Sequence, residues 1–154
     1  MAEIVIRHAT LADLDALAAN NRTMARETES RELDAVTVRS GTRAVLKDAN
    51  KGFYLVAERG GAVVGQLMVT FEWSDWRNAT FWWIQSVYVT PPARRGGVFR
   101  AMFDHVVADA RSRAGVCGVR LYMAKHNAAA RRAYEALGMR HTDYDVFELD
   151  FVFG

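Results

Sequence analysis

Two short runs hold the residue types that could do chemistry. Arg94-Arg95-Gly96-Gly97 lies between an apolar strand pattern, Ile84-Gln85-Ser86-Val87-Tyr88-Val89, and a stretch with apolar residues at helical spacing. A helix start presents about four backbone N–H groups without intrahelical partners, and it carries roughly half a positive charge. With glycines for close backbone approach and two guanidiniums alongside, such a start would cradle a pyrophosphate. Further along, Asn127 opens a second helix pattern and Tyr134 lies two turns on, before Leu137-Gly138-Met139. Asn127 can cap that helix and Tyr134 can bring a hydroxyl to a reacting atom. Ala130, Ala133, Tyr134 and Leu137 also share one helix face, which would suit a core tyrosine equally well. Together the runs suggest a nucleotide-tailed cosubstrate with a phenol near its reactive end.

The elements that must position these residues follow from periodicity. Residues 3–8 alternate and are β-branched, so they read as a first strand, and Thr10 with Asp13 forms a capping-box pattern opening a helix that buries Leu11, Leu14, Leu17, Ala18 and Met24. A weaker helix is expected over 32–47, interrupted by Gly41. Strand patterns at 53–59 and 62–73 flank Gly60-Gly61, a tight-hairpin signal, and a polar turn leads into a third strand at 80–89, making an antiparallel meander. Pro91-Pro92 stops further pairing. From Val98 the apolar residues Phe99, Met102, Phe103, Val106, Val107 and Ala110 match a helix template. A β-rich run at 116–124, a helix at 127–137 ended by Gly138, and an alternating strand at 144–152 complete the order β-α-α-β-β-β-α-β-α-β.

At 154 residues, half of them hydrophobic, the chain is expected to form a single domain, 1–154. Twenty Lys and Arg against eighteen Asp and Glu leave a formal net charge of +2, too near neutral for a dedicated nucleic-acid binder. A basic surface built from Arg94, Arg95, Arg111, Arg113, Arg131 and Arg132 is the feature such a binder would use. Cys117 has no partner for an internal disulfide, the start of the chain has no secretory pattern, and no apolar run is long enough to span a bilayer. A cytoplasmic protein without membrane partners is expected. His8, His105, His126 and His141 are scattered without ligand spacing, so no metal site is expected, and the glycine run lacks the third glycine of a dinucleotide fingerprint.

In element order and in both motifs the chain resembles the GCN5-related N-acetyltransferase (GNAT) superfamily, most sharply over residues 82–139. That family's acyl-CoA motif is Arg or Gln, two residues, Gly, one residue, then Gly or Ala; here it reads Arg94-Arg95-Gly96-Gly97-Val98-Phe99. Phe99 departs from the usual small residue, although its position on the apolar face with Met102, Phe103 and Val106 lets the side chain turn inward. The resemblance implies an α/β fold with a mixed, largely antiparallel sheet, flanked by helices and splayed near Val87-Tyr88-Val89, whose backbone would hydrogen-bond the pantetheine arm of acetyl-CoA. It also implies that Asn127 binds the pantetheine and that Tyr134 protonates the departing thiolate.

The implied reaction is acetyl transfer from acetyl-CoA to a primary amine, a small molecule rather than a protein, by direct attack in a ternary complex. A free amine with a pKa near 10.4 costs roughly 4–5 kcal/mol to deprotonate at pH 7, so a base or a desolvating pocket must contribute. The strand residues Phe81-Trp82-Trp83-Ile84-Gln85-Ser86 carry no carboxylate where many family members have a glutamate. Glu72 is the candidate base, with Asp75 as its neighbour, and Trp73 and Trp76 flank them. Glu72 reads equally as an exposed strand end and Asp75 as a turn former. Trp73, Gln85 and Ser86 are candidate acceptor-binding residues, whereas core packing accounts for at least two of the four tryptophans. The missing strand carboxylate leaves an acyl-CoA-binding module without turnover as the alternative. The aromatic hairpin and the apolar residues 147–153 are compatible with a homodimer.

Overall fold

The computed structural model describes residues 2–154, which form two units, residues 2–122 and Met123–Gly154. In the first, β1 (Ile4–His8) leads through a 3-10 turn into α1 (Leu14–Glu29) and α2 (Ala35–Lys47). The meander β2 (Phe53–Arg59), β3 (Ala62–Ser74) and β4 (Ala79–Val89) follows, then α3 (Val98–Arg111) and β5 (Val116–Leu121). The strands lie in the order β1-β2-β3-β4-β5, antiparallel except that β5 runs parallel to β4. This is the expected mixed, largely antiparallel α/β sheet.

The entry to α1 is fixed by local chemistry. Thr10 Oγ1 accepts from the Ala12 N–H at 3.3 Å, and Asp13 Oδ2 accepts from the Thr10 N–H at 2.8 Å, closing the capping box. Asp13 is buried and also takes two hydrogen bonds from the Arg7 guanidinium, at 2.8 and 3.0 Å, while Arg7 reaches Glu58 on β2. The Arg7 hydrogen bonds hold the Asp13 carboxyl below the usual aspartate range, and its partners raise Arg7 in turn. Leu11, expected in the core, is 51 % exposed, because residues 11–13 form a 3-10 turn ahead of the helix rather than its inward face. Helix α2 starts at Ala35 rather than 32, where Asp34 accepts from the Thr37 N–H at 2.9 Å.

Leu17, Leu55, Val56, Leu67, Val69, Met102 and Val106 form the dry interior, between the sheet and α1 and α3. Through it runs a polar network. Asn20 Nδ2 donates to Gln66 Oε1 at 3.0 Å, Gln66 Nε2 donates to Asn21 Oδ1 at 3.0 Å, and Asn21 Nδ2 donates to the Tyr54 hydroxyl at 3.1 Å. Gln66 and Tyr54 are buried, so these bonds take the place of water and tie α1 to β2 and β3. At Gly65 a Cβ would sit 2.7 Å from Val98 Cγ1; its absence lets the first turn of α3 lie directly on β3.

In the second unit α4 (Ala128–Ala136) is capped by Asn127, whose Oδ1 accepts from the Ala130 N–H at 3.0 Å, and the chain leaves it at Gly138, φ 88°. Two expectations fail. The fifth strand stops at Leu121 rather than 124, and residues 144–152 form no strand; their side chains are largely exposed, Phe147 by 96 % and Phe151 by 94 %. The alternating pattern is strand-competent, but a strand requires a partner edge, and no ladder among the described residues includes 144–152.

Candidate active site

β4 carries the irregularity on which the site is built. Gln66 of β3 faces Tyr88, but Met68 faces Gln85, so two steps along β3 match three along β4. The extra residue is accommodated at Ser86, a non-glycine residue with φ 51°. On its other side β4 is paired with β5 only from Thr80 to Ile84, where Leu121 is the last partner. Beyond that point Tyr88 and Val89 pair with Gln66 and Gly65 of β3, and among the described residues the other edge of Val87-Tyr88-Val89 has no ladder partner. This is the splay expected near Val87 and Val89, with a bulge at its base.

The edge leads directly into the Arg94 loop. A 3-10 turn, Pro91–Ala93, follows β4, and the backbone is left-handed at Arg95, φ 65°, and again at Gly97, φ 79°, the N-cap of α3. Such curling turns successive amides toward one concavity, a feature of anion-binding nests. Gly97 supplies no capping side chain, and a Cβ there would meet nothing, so the helix start is open to a ligand. Phe99, the departure from the motif, is half-buried with its ring 6.0 Å from that of Phe103.

The two arginines have different positions. Arg94 Nε donates to the Val89 carbonyl at 2.9 Å and Nη2 pairs with Glu27 of α1 at 2.8 Å, with the guanidinium 5.4 Å from the Tyr88 ring centroid. These contacts tie the loop to the end of β4 and to α1, and Arg95 is exposed on the loop itself. Behind them Arg59 Nη2 donates to the Gly96 carbonyl at 3.2 Å, and a Cβ at residue 96 would come within 3.2 Å of Arg59 Nη1. Neither Arg59 nor Glu27 was legible in the sequence, since nothing local links residue 59 to 96 or 27 to 94.

The candidate acceptor residues lie on β3 and β4. Glu72 accepts from Trp83 Nε1 at 3.1 Å and pairs with Arg120 at 2.7 Å, so its neighbours are one indole and a guanidinium rather than the two flanking tryptophans. Trp73 and Trp76 are exposed by 62 % and 87 %, whereas Trp82 is buried and Trp83 stacks on Tyr122 at 4.5 Å. Asp75 accepts from the Trp76 N–H, as a turn former does. Gln85 Nε2 donates to Thr70 Oγ1 across the two strands. Asn127 and Tyr134 belong to the second unit, where Tyr134 is half-buried and that burial pushes its phenol above the ordinary tyrosine pKa. Among the described residues no group of three or more His, Cys, Asp or Glu could hold a metal ion, and no helix is long and apolar enough to cross a membrane.

The bulged strand and the glycine-started helix both lie within residues 15–139, which the model of the Acetyltransferase (GNAT) family matches. The chain belongs to the GNAT family. Among solved structures, a possible acetyltransferase from Clostridium difficile 630 is similar at a TM-score of 0.91 and 42 % identity, over 97 % of this chain and 98 % of that one. A transcriptional regulator from Bacillus halodurans C-125 matches at 0.80 and 25 % identity, over 97 % and 100 % of the two chains. A predicted acetyltransferase from Clostridium acetobutylicum, solved with acetyl-CoA, shares the fold at 0.77 and 20 % identity, over 97 % of each chain. No curated protein matches the chain significantly. The GNAT fold therefore accounts for the splay and the loop together.

Proposed function

We propose that residues 1–154 act as one acetyl-CoA-dependent N-acetyltransferase domain that acetylates a primary amine of a small molecule, in the cytoplasm, a setting that suits a single cysteine. The observation that carries this reading is the continuity of the unpaired Val87-Tyr88-Val89 edge with the nest at Arg95 and Gly97. An extended arm bearing amides suits the edge of β4, and a pyrophosphate suits the loop. The backbone of Val87 and Val89 would bind the pantetheine, assisted by Asn127. Arg95, Gly96, Gly97, Val98 and Phe99 would hold the pyrophosphate, and Arg94 would brace the loop.

In the proposed reaction the neutral amine attacks the thioester carbonyl, a C–N bond forms, the C–S bond breaks and the CoA thiolate leaves. Strand N–H groups near the bulge polarise the carbonyl oxygen. Tyr134, a protonated phenol whose pKa burial pushes further up, donates its proton to the thiolate. The amine proton passes through water to Glu72, which would have to share the carboxylate now paired with Arg120. Trp73, Gln85 and Ser86 would contact the acceptor.

The alternative, an acyl-CoA-binding module without turnover, draws on that Glu72–Arg120 pair, because β4 itself carries no carboxylate. Calorimetric titration with acetyl-CoA, followed by a free-thiol assay over a panel of primary amines, separates the two. Binding with amine-dependent thiol release is expected. Binding without release would favour the module, and an absence of binding would overturn both.

A further inference from the structure

Three arginines stand at the glycine loop, and their charges are matched differently. Arg94 is neutralised by Glu27, 2.8 Å from its Nη2. Arg59 is the opposite case. It is the last residue of β2, laddered to Ile4 on one side and to Ala62 on the other, so its backbone is held from both sides. Its half-buried guanidinium donates one hydrogen bond, from Nη2 to the Gly96 carbonyl at 3.2 Å, and its buried Nε has no partner. Glu58, the adjacent carboxylate, is held by Arg7 at 2.8 Å, and Arg59 pairs with no carboxylate among the described residues. A partly desolvated cation without a counter-ion costs stability. An anion bound in the loop would supply the missing counter-charge.

The same contact accounts for a glycine. Gly96 lacks the left-handed backbone of Arg95 and Gly97, but a Cβ there would lie 3.1 Å from the Ala93 carbonyl oxygen and 3.2 and 3.5 Å from Arg59 Nη1 and Nη2. The guanidinium therefore lies against residue 96 itself. In a planar trans peptide the C=O and the N–H point in opposite directions. With the Gly96 carbonyl turned to Arg59, the Gly97 N–H is turned away from it, and that N–H has no acceptor among the described residues. An anion on the Gly97 N–H would lie on the order of 8 Å from the guanidinium, about one Debye length and beyond hydrogen-bond reach.

We propose that Arg59 is a positioning residue of the pyrophosphate loop. Its cation fixes the Gly96–Gly97 peptide with the Gly97 N–H toward the ligand and, with Arg95, supplies the charge that Arg94 does not. The proposal rests on the acetyl-CoA reading, and Arg59 acts through the loop rather than on the ligand.

Calorimetric titration with acetyl-CoA compares the natural chain with Arg59→Met, Arg59→Lys, Gly96→Ala and the Arg59→Met/Gly96→Ala double variant. Arg59→Met should weaken binding by about 10-fold or more, since a charge-assisted hydrogen bond and a positive charge are both lost. Arg59→Lys keeps a charge and a donor and should lose no more than about 3-fold. Gly96→Ala should weaken binding in the natural chain yet add less than about twofold once residue 59 is changed to methionine, because the two residues act through one contact. Binding by Arg59→Met within about twofold of the natural chain overturns the proposal, as do equal losses from methionine and lysine, or losses at 59 and 96 that simply add. In each of those cases the natural chain still binds and the acetyl-CoA reading stands. A natural chain that does not bind overturns that reading and the proposal together.

Discussion

Asn21→Leu is the most informative perturbation of the wall behind the site. Asn21 accepts from Gln66 Nε2 and donates to the Tyr54 hydroxyl, and exposures of 0 % at Gln66 and 3 % at Tyr54 leave water no route to replace it. Leucine fills a similar volume, so the cost is that of two orphaned polar groups, each about 1–3 kcal/mol, offset in part by the added apolar burial. A net loss of about 2–4 kcal/mol is expected. With a urea slope of roughly 2 kcal/mol per molar, the unfolding midpoint falls by about 1–2 M. Gln66→Leu orphans only Asn21 Oδ1, since half-buried Asn20 can turn to water, and should cost about 1–2 kcal/mol. In the double variant the Tyr54 hydroxyl alone is stranded, so the two losses should fall short of additivity by about 2–4 kcal/mol. Strict additivity, or a midpoint shift below about 0.3 M for Asn21→Leu, would refute the idea that this network substitutes for solvent.

Other outcomes follow from single contacts. Asp13→Asn keeps an acceptor for the Thr10 N–H but loses the charge facing Arg7; as Arg7 is about one-third exposed and retains Glu58, the cost at pH 7 is about 1 kcal/mol, read by thermal unfolding. Because the folded-state pKa of Asp13 is lowered, its contribution is complete above the ordinary aspartate range and disappears as pH falls through the folded value, so the two proteins should begin to converge only once the pH drops below the ordinary aspartate range. Tyr134→Phe should lower kcat by about 100-fold or more while acetyl-CoA affinity measured by calorimetry stays within about twofold, as befits a proton donor. Gly118→Ala would place a Cβ 2.7 Å from Phe81 Cε1 and should cost about 1–3 kcal/mol in thermal or urea unfolding, with Phe81→Leu in the same chain recovering part of it.

What could be read in advance was local. The Thr10/Asp13 box, the Gly60-Gly61 hairpin, the apolar stripe of α3 and the Asn127 cap each depend on residues within a turn of one another, and each forms where periodicity places it. The glycine loop was legible for the same reason. The bulge was not, because Ser86 adopts a left-handed conformation without the glycine or asparagine that usually signals one. The braces on the loop, Arg59 to Gly96 and Glu27 to Arg94, join positions 37 and 67 residues apart. Residues 144–152 show the limit of period-two reasoning, which identifies a segment able to pair but not the edge it pairs with.

The bulge at Ser86 means that β4 is written in two frames. Since Met68 and Gln66 point to one face of β3, their partners Gln85 and Tyr88 share a face across three residues rather than two. Odd-numbered side chains before the bulge therefore correspond to even-numbered ones after it. Deleting Ser86 would give Gln85 and Tyr88 a uniform spacing of two and keep Tyr88 and Val89 on their present faces, removing only the bulge. The segment should thus keep its register on losing one residue, whereas a deletion elsewhere in β4 turns every later side chain over. In a library of random variants it would stand out by that asymmetry alone.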